Sequence, residues 1–303
     1  MRFGPAFQII RALICALTLA LTLALASPAL AQAAPKANFL GSYHWIMDKP
    51  WFGGWSGIEV SSDGSGMTAL TDRGRLIRAR LIRENGRITG VEPLKWWRLK
   101  SSRGAFLTRR IADSEGLAVA DNGTIHVSFE GITRVARFAP PSSPATVLRR
   151  HAAFRTFSGN NSLEALAIDR RNRLFAIPER LGNGANIPVF IYENQRWTLA
   201  FTLPGGDGFL PVGADFGPDG RLYLLERGWS VFGFRTRLRR WDVTGDTPRG
   251  EQLLIRSRTG THDNLEGIAV WRDPSGNIRL TMIADDNFLS VQQTQIVEYT
   301  LQE

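Results

Sequence analysis

The chain has 303 residues, of which 43% are hydrophobic and 21% charged, and this composition excludes a disordered, collagen-like or coiled-coil protein. Its 37 Lys and Arg against 28 Asp and Glu give a formal charge of +9, which favours anionic over cationic partners. The single cysteine, Cys15, excludes an intramolecular disulfide.

The first predicted element is a signal peptide at residues 1–31. Two arginines precede an apolar run of Ala, Leu and Thr from residue 12 to 26, and Ala29-Leu-Ala31 has the small residues of a cleavage site. The run is shorter than the roughly 20 residues of a spanning helix, and no cationic stop-transfer cluster follows it. We therefore predict cleavage after Ala31, a short linker at 32–37, no transmembrane segment in the mature chain, and a periplasmic or secreted protein. An uncleaved anchor is the alternative.

Five repeats organise residues 38–303. Each has an apolar strand that opens on Gly or Ala, a turn with Gly or Asn, a second apolar strand and a final acid. The repeats begin at residues 57, 116, 165, 213 and 267, at intervals of 59, 49, 48 and 54 residues. This spacing is typical of four-stranded propeller blades. The sequence thus predicts an all-β protein, a single β-propeller of five blades, with six blades as the alternative.

The ring is predicted to close through the N-terminus. A strand from about Phe39 to Trp45 would pair with residues 295–301 and complete the last blade. This pairing removes an open sheet edge that would invite association with another chain. We accordingly expect a monomer.

Acids recur at two positions of the repeat. They end the second strand in every repeat, and they precede the first strand in three. Because the start of a strand lies beside the end of its antiparallel neighbour, all of them should gather at one end of the axis. The second-strand acids are Asp72, Glu130, Glu179, Glu226, Asp285 and Asp286, and the first-strand acids are Glu115, Glu164 and Glu266.

So many carboxylates need a compensating positive charge. One source is a divalent metal, Ca²⁺ by preference, for which carboxylates and amides are suitable ligands. A second is internal pairing with arginine, and a third is a mixed mouth that binds substrate. The predicted metal ligands are Glu115, Glu164, Glu266, Asn161, Asn264 and Asp285, and the arginines that each follow an acid are Arg73, Arg180 and Arg227.

Four short motifs carry a family resemblance. They are Asp113-Ser-Glu-Gly-Leu-Ala-Val, Asn161-Ser-Leu-Glu-Ala-Leu-Ala-Ile, Asp263-Asn-Leu-Glu-Gly-Ile-Ala-Val and Ala284-Asp-Asp-Asn-Phe288. Together they resemble the phytase-like family of secreted bacterial proteins with esterase-like activity, over most of the chain from about Phe39. The resemblance implies a propeller that hydrolyses a phosphoester or a carboxyl ester.

The chain departs from the β-propeller phytases, because their run of two Asp followed by Pro-Ala does not occur in it. Hydrolysis of inositol phosphates is therefore not expected. A looser similarity to gluconolactonase-like propellers implies one divalent metal on the axis, held by Glu, Asn and Asp.

Two functional hypotheses remain open. In the first, the protein is a metal-dependent hydrolase of a small anionic ester, with Glu179 or Glu226 as general base and the arginines binding the anion. His262 is a candidate acid or base, although a solvated loop histidine is the simpler interpretation. Trp55 is a candidate pocket residue, although tryptophans between blades usually serve packing. In the second, a non-catalytic propeller binds a ligand or an envelope protein through its acidic mouth. No nucleic-acid partner is expected.

Overall fold

The computed structural model describes residues 36–157, 162–179 and 186–302. The predicted signal peptide lies outside the described residues and stays a prediction. Within the described ranges there are three short 3-10 helices, at Arg109–Ile111, Ala152–Arg155 and Thr244–Asp246. No helix among these residues is both long and apolar enough to cross a membrane.

The strands form five four-stranded antiparallel sheets. Ahead of the first sheet comes β1 (Asn38–His44). Blade 1 contains β2 (Trp55–Val60), β3 (Gly66–Thr71), β4 (Arg75–Glu84) and β5 (Arg87–Arg98). Blade 2 contains β6 (Ser114–Val119), β7 (Ile125–Phe129), β8 (Arg134–Phe138) and β9 (Thr146–Val147). Blade 3 contains β10 (Leu163–Ile168), β11 (Leu174–Pro178), β12 (Asn186–Glu193) and β13 (Arg196–Pro204). Blade 4 contains β14 (Phe209–Phe216), β15 (Leu222–Ser230), β16 (Gly233–Asp242) and β17 (Arg249–Arg256). Blade 5 contains β18 (Asn264–Arg272), β19 (Ile278–Asp285) and β20 (Gln295–Leu301).

Blade 5 takes its fourth strand from the N-terminus. Strand β1 pairs antiparallel with β20, with Asn38 opposite Thr300 and His44 opposite Gln295. The prediction of five four-stranded blades, closed by an N-terminal strand, is confirmed, and the six-blade alternative is wrong. The first interval of the repeat is long because β4 and β5 have 10 and 12 residues. The extra length of blade 1 therefore conceals no further blade.

The Gly or Ala that opens each repeat lies where innermost strands converge on the axis. A Cβ added to Gly116 of β6 would lie 2.7 Å from the Cβ of Leu166 in β10. A Cβ added to Gly267 of β18 would lie 2.9 Å from the Cα of Gly57 in β2. Such separations are too short for carbon atoms that are not bonded, so a larger residue would force the strands apart.

The hydrophobic core consists of five clusters, and each is shared by two adjacent blades. The cluster between blades 5 and 1 contains Trp45 and Trp55, whose rings stack at a centroid distance of 4.7 Å. The predicted pocket role of Trp55 is wrong, because its side chain is fully buried between these blades. Flat aromatic rings are suited to this position, since two twisted sheets leave a wedge between them.

Candidate functional site

The acidic mouth is the end of the axis at which first strands begin and second strands end. Backbone pairing brings Asn264 opposite Asp285 in blade 5 and Leu163 opposite Pro178 in blade 3. The carboxylates that interact electrostatically there come from blades 1, 2, 3 and 5. They are Asp72, Asp113, Glu115, Glu130, Glu164, Glu179, Glu266, Asp285 and Asp286.

A β-bulge directs three of these glutamates toward the axis. In β18 the pairing register shifts between Leu265 and Gly267, so Glu266 is the extra residue. In β10 the corresponding shift makes Glu164 the extra residue. In β6 the corresponding shift lies between Ser114 and Leu117, a stretch that includes Glu115. A bulge changes the direction of the side chain that it carries. The same shift occurs in all five innermost strands, but blades 1 and 4 have Ser56 and Val212 there, which carry no charge.

Arg227 neutralises one part of the mouth. Its guanidinium donates to Asn264 Oδ1 at 2.8 Å and to Glu179 Oε1 at 3.0 Å, and it forms an ion pair with Glu266. Asn264 also donates from Nδ2 to Glu266 Oε1 at 2.8 Å. Burial opposes the charge on Arg227, but the carboxylates of Glu266, Glu179 and Glu164 outweigh burial and raise its pKa. This part matches the internal pairing expected as an alternative to a metal.

In a second part of the mouth, no described residue forms an ion pair with the carboxylates, and burial raises the pKa of Asp113 against the opposing charges of Arg110 and Arg134. Asp113, Glu115 and Glu130, here called the acid triad, each offer a carboxylate oxygen within 4.8 Å of the others. Burial, followed by repulsion from Asp113, raises the pKa of Glu130 to about 7. Burial, followed by repulsion from Glu164 and Glu266, raises the pKa of Glu115 well above its ordinary value. Among the described residues, none forms an ion pair with Glu115, Glu130 or Glu164. These groups therefore require protons or an added cation.

Aspartates of blades 1 and 5 extend the cluster. Burial, followed by repulsion from Glu266, raises the pKa of Asp285 to about 8. Burial raises the pKa of Asp72 to about 7, although Arg73 opposes that rise. The Oδ1 atom of Asp72 is buried and accepts no hydrogen bond from the described residues, and Arg73 Nε lies 3.8 Å away. An orphaned carboxylate oxygen of this kind is suited to a metal ion or a ligand proton.

An arginine-rich cavity of about 410 Å³ adjoins the acid triad. Its charged lining comprises Asp72 and Asp113 together with four arginines, Arg73, Arg75, Arg98 and Arg109. Burial, followed by repulsion from Arg98 and Arg73, lowers the pKa of Arg75, and its buried Nε has no hydrogen-bond partner in the described structure. A cluster of like-charged guanidinium groups with unfilled donors is typical of a site for an anion.

The remaining predicted residues have different surroundings. Glu226 is fully buried in blade 4, where each of its oxygens accepts from both Arg237 and Arg239. With every oxygen engaged by two cations, Glu226 is unsuited to act as a base. His262 Nε2 lies 2.7 Å from the hydroxyl of Tyr299 in β20, and burial lowers its pKa. Asn161 and Arg180 lie outside the described residues.

Sequence reasoning placed Glu130 among the acids of the mouth without giving it a role, and it assigned no site role to Asp113, Arg75, Arg98 or Arg109. A signal for Asp113 was available, because Asp113-Ser-Glu-Gly repeats with one residue fewer the Asp263-Asn-Leu-Glu-Gly of the last blade. Glu130 is the counterpart of Glu179 at the end of a second strand. Among the arginines, Arg109 stands out in the sequence through its adjacent pair with Arg110, whereas Arg75 and Arg98 carry no comparable signal because long outer strands bring them to the cavity.

The fold and site define a five-bladed β-propeller whose axial mouth joins an acid cluster to an arginine-rich cavity. The family model described as "Phytase-like: Esterase-like activity of phytase" matches residues 50–288, and the chain belongs to this family. The resemblance stated from the sequence motifs is thereby confirmed. No curated protein matches the chain.

Three solved structures illustrate the similarity of the chain to other proteins, at low sequence identity. An α-L-arabinofuranosidase from Podospora anserina, in complex with cellotriose, is 11% identical, with 89% of this chain and 98% of that chain covered and a TM-score of 0.51. A gluconolactonase from Xanthomonas campestris is 15% identical, with coverages of 82% and 72% and a TM-score of 0.43. A PQQ-bound aldose sugar dehydrogenase from Streptomyces coelicolor is 13% identical, with coverages of 89% and 100% and a TM-score of 0.46. At these identities the likeness concerns the fold alone.

Proposed function

We propose that the protein is an exported, metal-dependent hydrolase that cleaves a small anionic ester at the acidic mouth. The observation that carries the proposal is the arginine-rich cavity beside Asp72 and Asp113. Hydrolysis of an anionic ester requires a cationic pocket for the anion and, within reach of it, groups that move protons or hold a Lewis acid. The esterase-like activity named in the family description agrees with this reaction class.

The arginines would bind the anionic part of the substrate. Arg73 is half exposed, and its guanidinium lies 3.5 Å from the centroid of the Phe288 ring, which restrains its orientation. Arg75 and Arg98 raise the local positive potential, since no described residue forms an ion pair with either. Guanidinium groups bind phosphate and carboxylate through paired N–H donors, so a phosphoester is the substrate that suits this cavity best.

The acid triad would hold the metal ion. Its donors are carboxylate oxygens only, which suits a hard cation such as Ca²⁺, and Asp72 offers an additional orphaned oxygen. Such an ion, when bound, would polarise the ester and lower the pKa of a bound water.

For the general base we propose Glu164 instead of Glu179. Glu179 is engaged by Arg227, whereas Glu164 lies close enough to Glu130 to feel its charge and has no ion pair in the described ranges. Burial, followed by repulsion from Glu179 and Glu130, raises the pKa of Glu164 well above its ordinary value, so it holds a proton until positive charge arrives. Once a cation has displaced that proton, the Glu164 carboxylate can accept a proton from water near neutral pH.

The anion site is tested with Arg75→Met and, as a matched control on the same strand, Arg80→Met. Arg80 is exposed and pairs with Glu92 on the outside of blade 1. Turnover of p-nitrophenyl phosphate and of uncharged p-nitrophenyl acetate is measured for both variants. We expect Arg75→Met to raise KM for the phosphate at least tenfold and to leave the acetate unchanged, while Arg80→Met changes neither. An equal loss on both substrates would contradict an anion-binding role.

The metal site is tested with the double variant Glu115→Gln and Glu130→Gln, with Glu92→Gln as control. Elemental analysis of the purified protein and the melting temperature with and without calcium are the measurements. We expect wild type and Glu92→Gln to bind calcium and gain stability from it, by mass action, and the double variant to show neither effect. If calcium raised the melting temperature of all three proteins equally, the acid triad would not be the site.

The second candidate function is a non-catalytic propeller that binds a ligand or an envelope protein. The observation in its favour is the Arg227 network, which neutralises Glu179 and Glu266 without any added ion. Phosphate binding without turnover of any ester would support this candidate over the hydrolase. Export is tested separately by locating the protein in cell fractions, and the expected monomer by its mass in solution.

A further inference from the structure

A cavity of about 550 Å³ lies at the end of the axis opposite the acidic mouth. It is formed where the first strands end and the hairpin turns begin, and we call it the turn-side cavity. Its walls include the apolar residues Val60, Val119, Ile168, Phe216 and Val270, one from the first strand of each blade. These five side chains form an apolar collar around the axis.

Two acids lie inside the collar, at equivalent positions of the repeat. Glu59 of β2 is the second residue after Gly57, and Asp215 of β14 is the second residue after Gly213. The other three blades have Ala118, Ala167 and Ala269 at this position. These alanines are buried in the core between blades, whereas the two longer acids line the cavity.

Each acid accepts hydrogen bonds from the backbone of a neighbouring blade. Glu59 Oε1 accepts from Val119 N at 3.1 Å, and Asp215 Oδ2 accepts from Val270 N at 2.6 Å. The other Asp215 oxygen accepts from Phe216 N at 2.7 Å. The second oxygen of Glu59 has no hydrogen-bond partner among the described residues, and its side chain is only partly buried, so it faces the cavity.

Within the part of the chain that the structure describes, no cation forms an ion pair with Glu59 or Asp215. The arginines of the cavity wall are engaged elsewhere: Arg173 with Asp169 at 2.7 Å, Arg170 with the carbonyl of Pro218, and Arg272 with the carbonyl of Gly276 at 2.6 Å. Burial and the charge of Asp215 raise the pKa of Glu59 well above its ordinary value, and burial raises that of Asp215 to about 7. The other charged groups of the wall are Asp121, Asp169 and Arg171.

We propose that the turn-side cavity is a second binding site, which takes a primary ammonium group carried on a short hydrocarbon body. The ammonium would meet Glu59 and Asp215, and the hydrocarbon would contact the apolar collar. A hard divalent cation such as Ca²⁺ fits less well, because it takes six or more oxygen ligands and both Asp215 oxygens already accept backbone hydrogen bonds. A neutral ligand would offer the Glu59 carboxylate no opposite charge.

The proposal is tested first on the wild-type protein, with three probes of similar shape: n-hexylamine, n-hexanol and hexanoate. Binding is measured by calorimetry and by the shift in melting temperature at pH 8. We expect the amine to bind at least tenfold more tightly than the alcohol and the carboxylate not to bind. Equal binding of amine and alcohol, or tighter binding of hexanoate, would overturn the proposal, as would a calcium site that depends on Glu59.

The variant Glu59→Gln then locates the amine site. Its side-chain carbonyl can still accept the Val119 hydrogen bond, so the strand contact is retained. We expect at least a tenfold loss of hexylamine affinity, whereas Glu130→Gln in the acidic mouth leaves that affinity unchanged. Unchanged affinity in Glu59→Gln would overturn the proposal. Neither result bears on ester hydrolysis, which belongs to the opposite end of the axis.

Discussion

Replacing Glu226 with Gln separates a structural role from a catalytic one. Glu226 is fully buried and accepts four charge-assisted hydrogen bonds of 2.7–2.8 Å from Arg237 and Arg239, which are themselves buried. Gln removes the negative charge and leaves the two buried guanidinium groups with only the exposed carboxylates of Asp207 and Glu251 as ion-pair partners. Loss of one partner of a buried ion pair costs about 3–5 kcal/mol, and we expect a value of about 3 kcal/mol because Gln keeps one acceptor oxygen.

The matched control is Glu251→Gln. Glu251 pairs with the same Arg239 at 3.0 Å, but its side chain is 40% exposed. Solvent screens such a pair, so its loss should cost less than about 1 kcal/mol. Urea unfolding followed by tryptophan fluorescence measures both values. The melting temperature of Glu226→Gln should fall by about 6 °C or more, taking roughly 2 °C per kcal/mol for a domain of this size.

The result that would refute this reasoning is a Glu226→Gln protein as stable as wild type. If that protein had also lost ester turnover or its response to calcium, Glu226 would belong to the site despite its two arginine partners. Stability lost together with unchanged calcium binding in the folded protein is the outcome that we expect.

Three further predictions concern charge, packing and processing. In calcium-free buffer the stability contributed by Glu130 and Asp72 should fall as pH rises from about 4 toward 7. Both have pKa values of about 7 in the folded protein, against ordinary values of 4.5 and 3.8. The unfolded chain therefore binds fewer protons than the folded protein in this pH window. Melting temperatures against pH should thus fall less steeply for Glu130→Gln than for wild type, and an identical slope would contradict the assignment. Gly116→Ala should destabilise the propeller by about 1–3 kcal/mol through overpacking at the axis, whereas Gly41→Ala, where the nearest atom to a new Cβ is 4.0 Å away, should be close to neutral in urea unfolding. The N-terminal sequence of the exported protein should begin at Gln32, and a protein that retains residues 1–31 would show that the segment is an anchor.

The architecture could be predicted from the sequence because it is encoded locally and then repeated. Each blade carries the same strand–turn–strand pattern, and the spacing of the patterns counts the blades. Closure could be predicted as well, since the strand left over at the N-terminus is the one that the last blade lacks. The Gly that opens four of the five repeats reports a close approach to the innermost strand of a neighbouring blade.

The composition of the site could be predicted only in part. Period-two alternation places acids at strand ends, but it does not reveal the bulges that turn Glu115, Glu164 and Glu266 toward the axis. Equivalent positions in the repeat also proved unequal: Glu179 meets Arg227 in the mouth, whereas Glu226 is enclosed by two arginines of its own blade.

What the sequence by itself determined is the class of fold, the number of blades, the closing strand and the end of the axis where carboxylates gather. Only the tertiary structure decided which charges meet. It divided the acids between the Arg227 network and the acid triad, assembled Arg75, Arg98 and Arg109 into one cavity, and buried Trp55 between two blades. The physical reason is range: strand pairing follows from neighbours in the chain, whereas the electrostatic environment of a side chain depends on groups that are distant in sequence and arrive only when the ring closes.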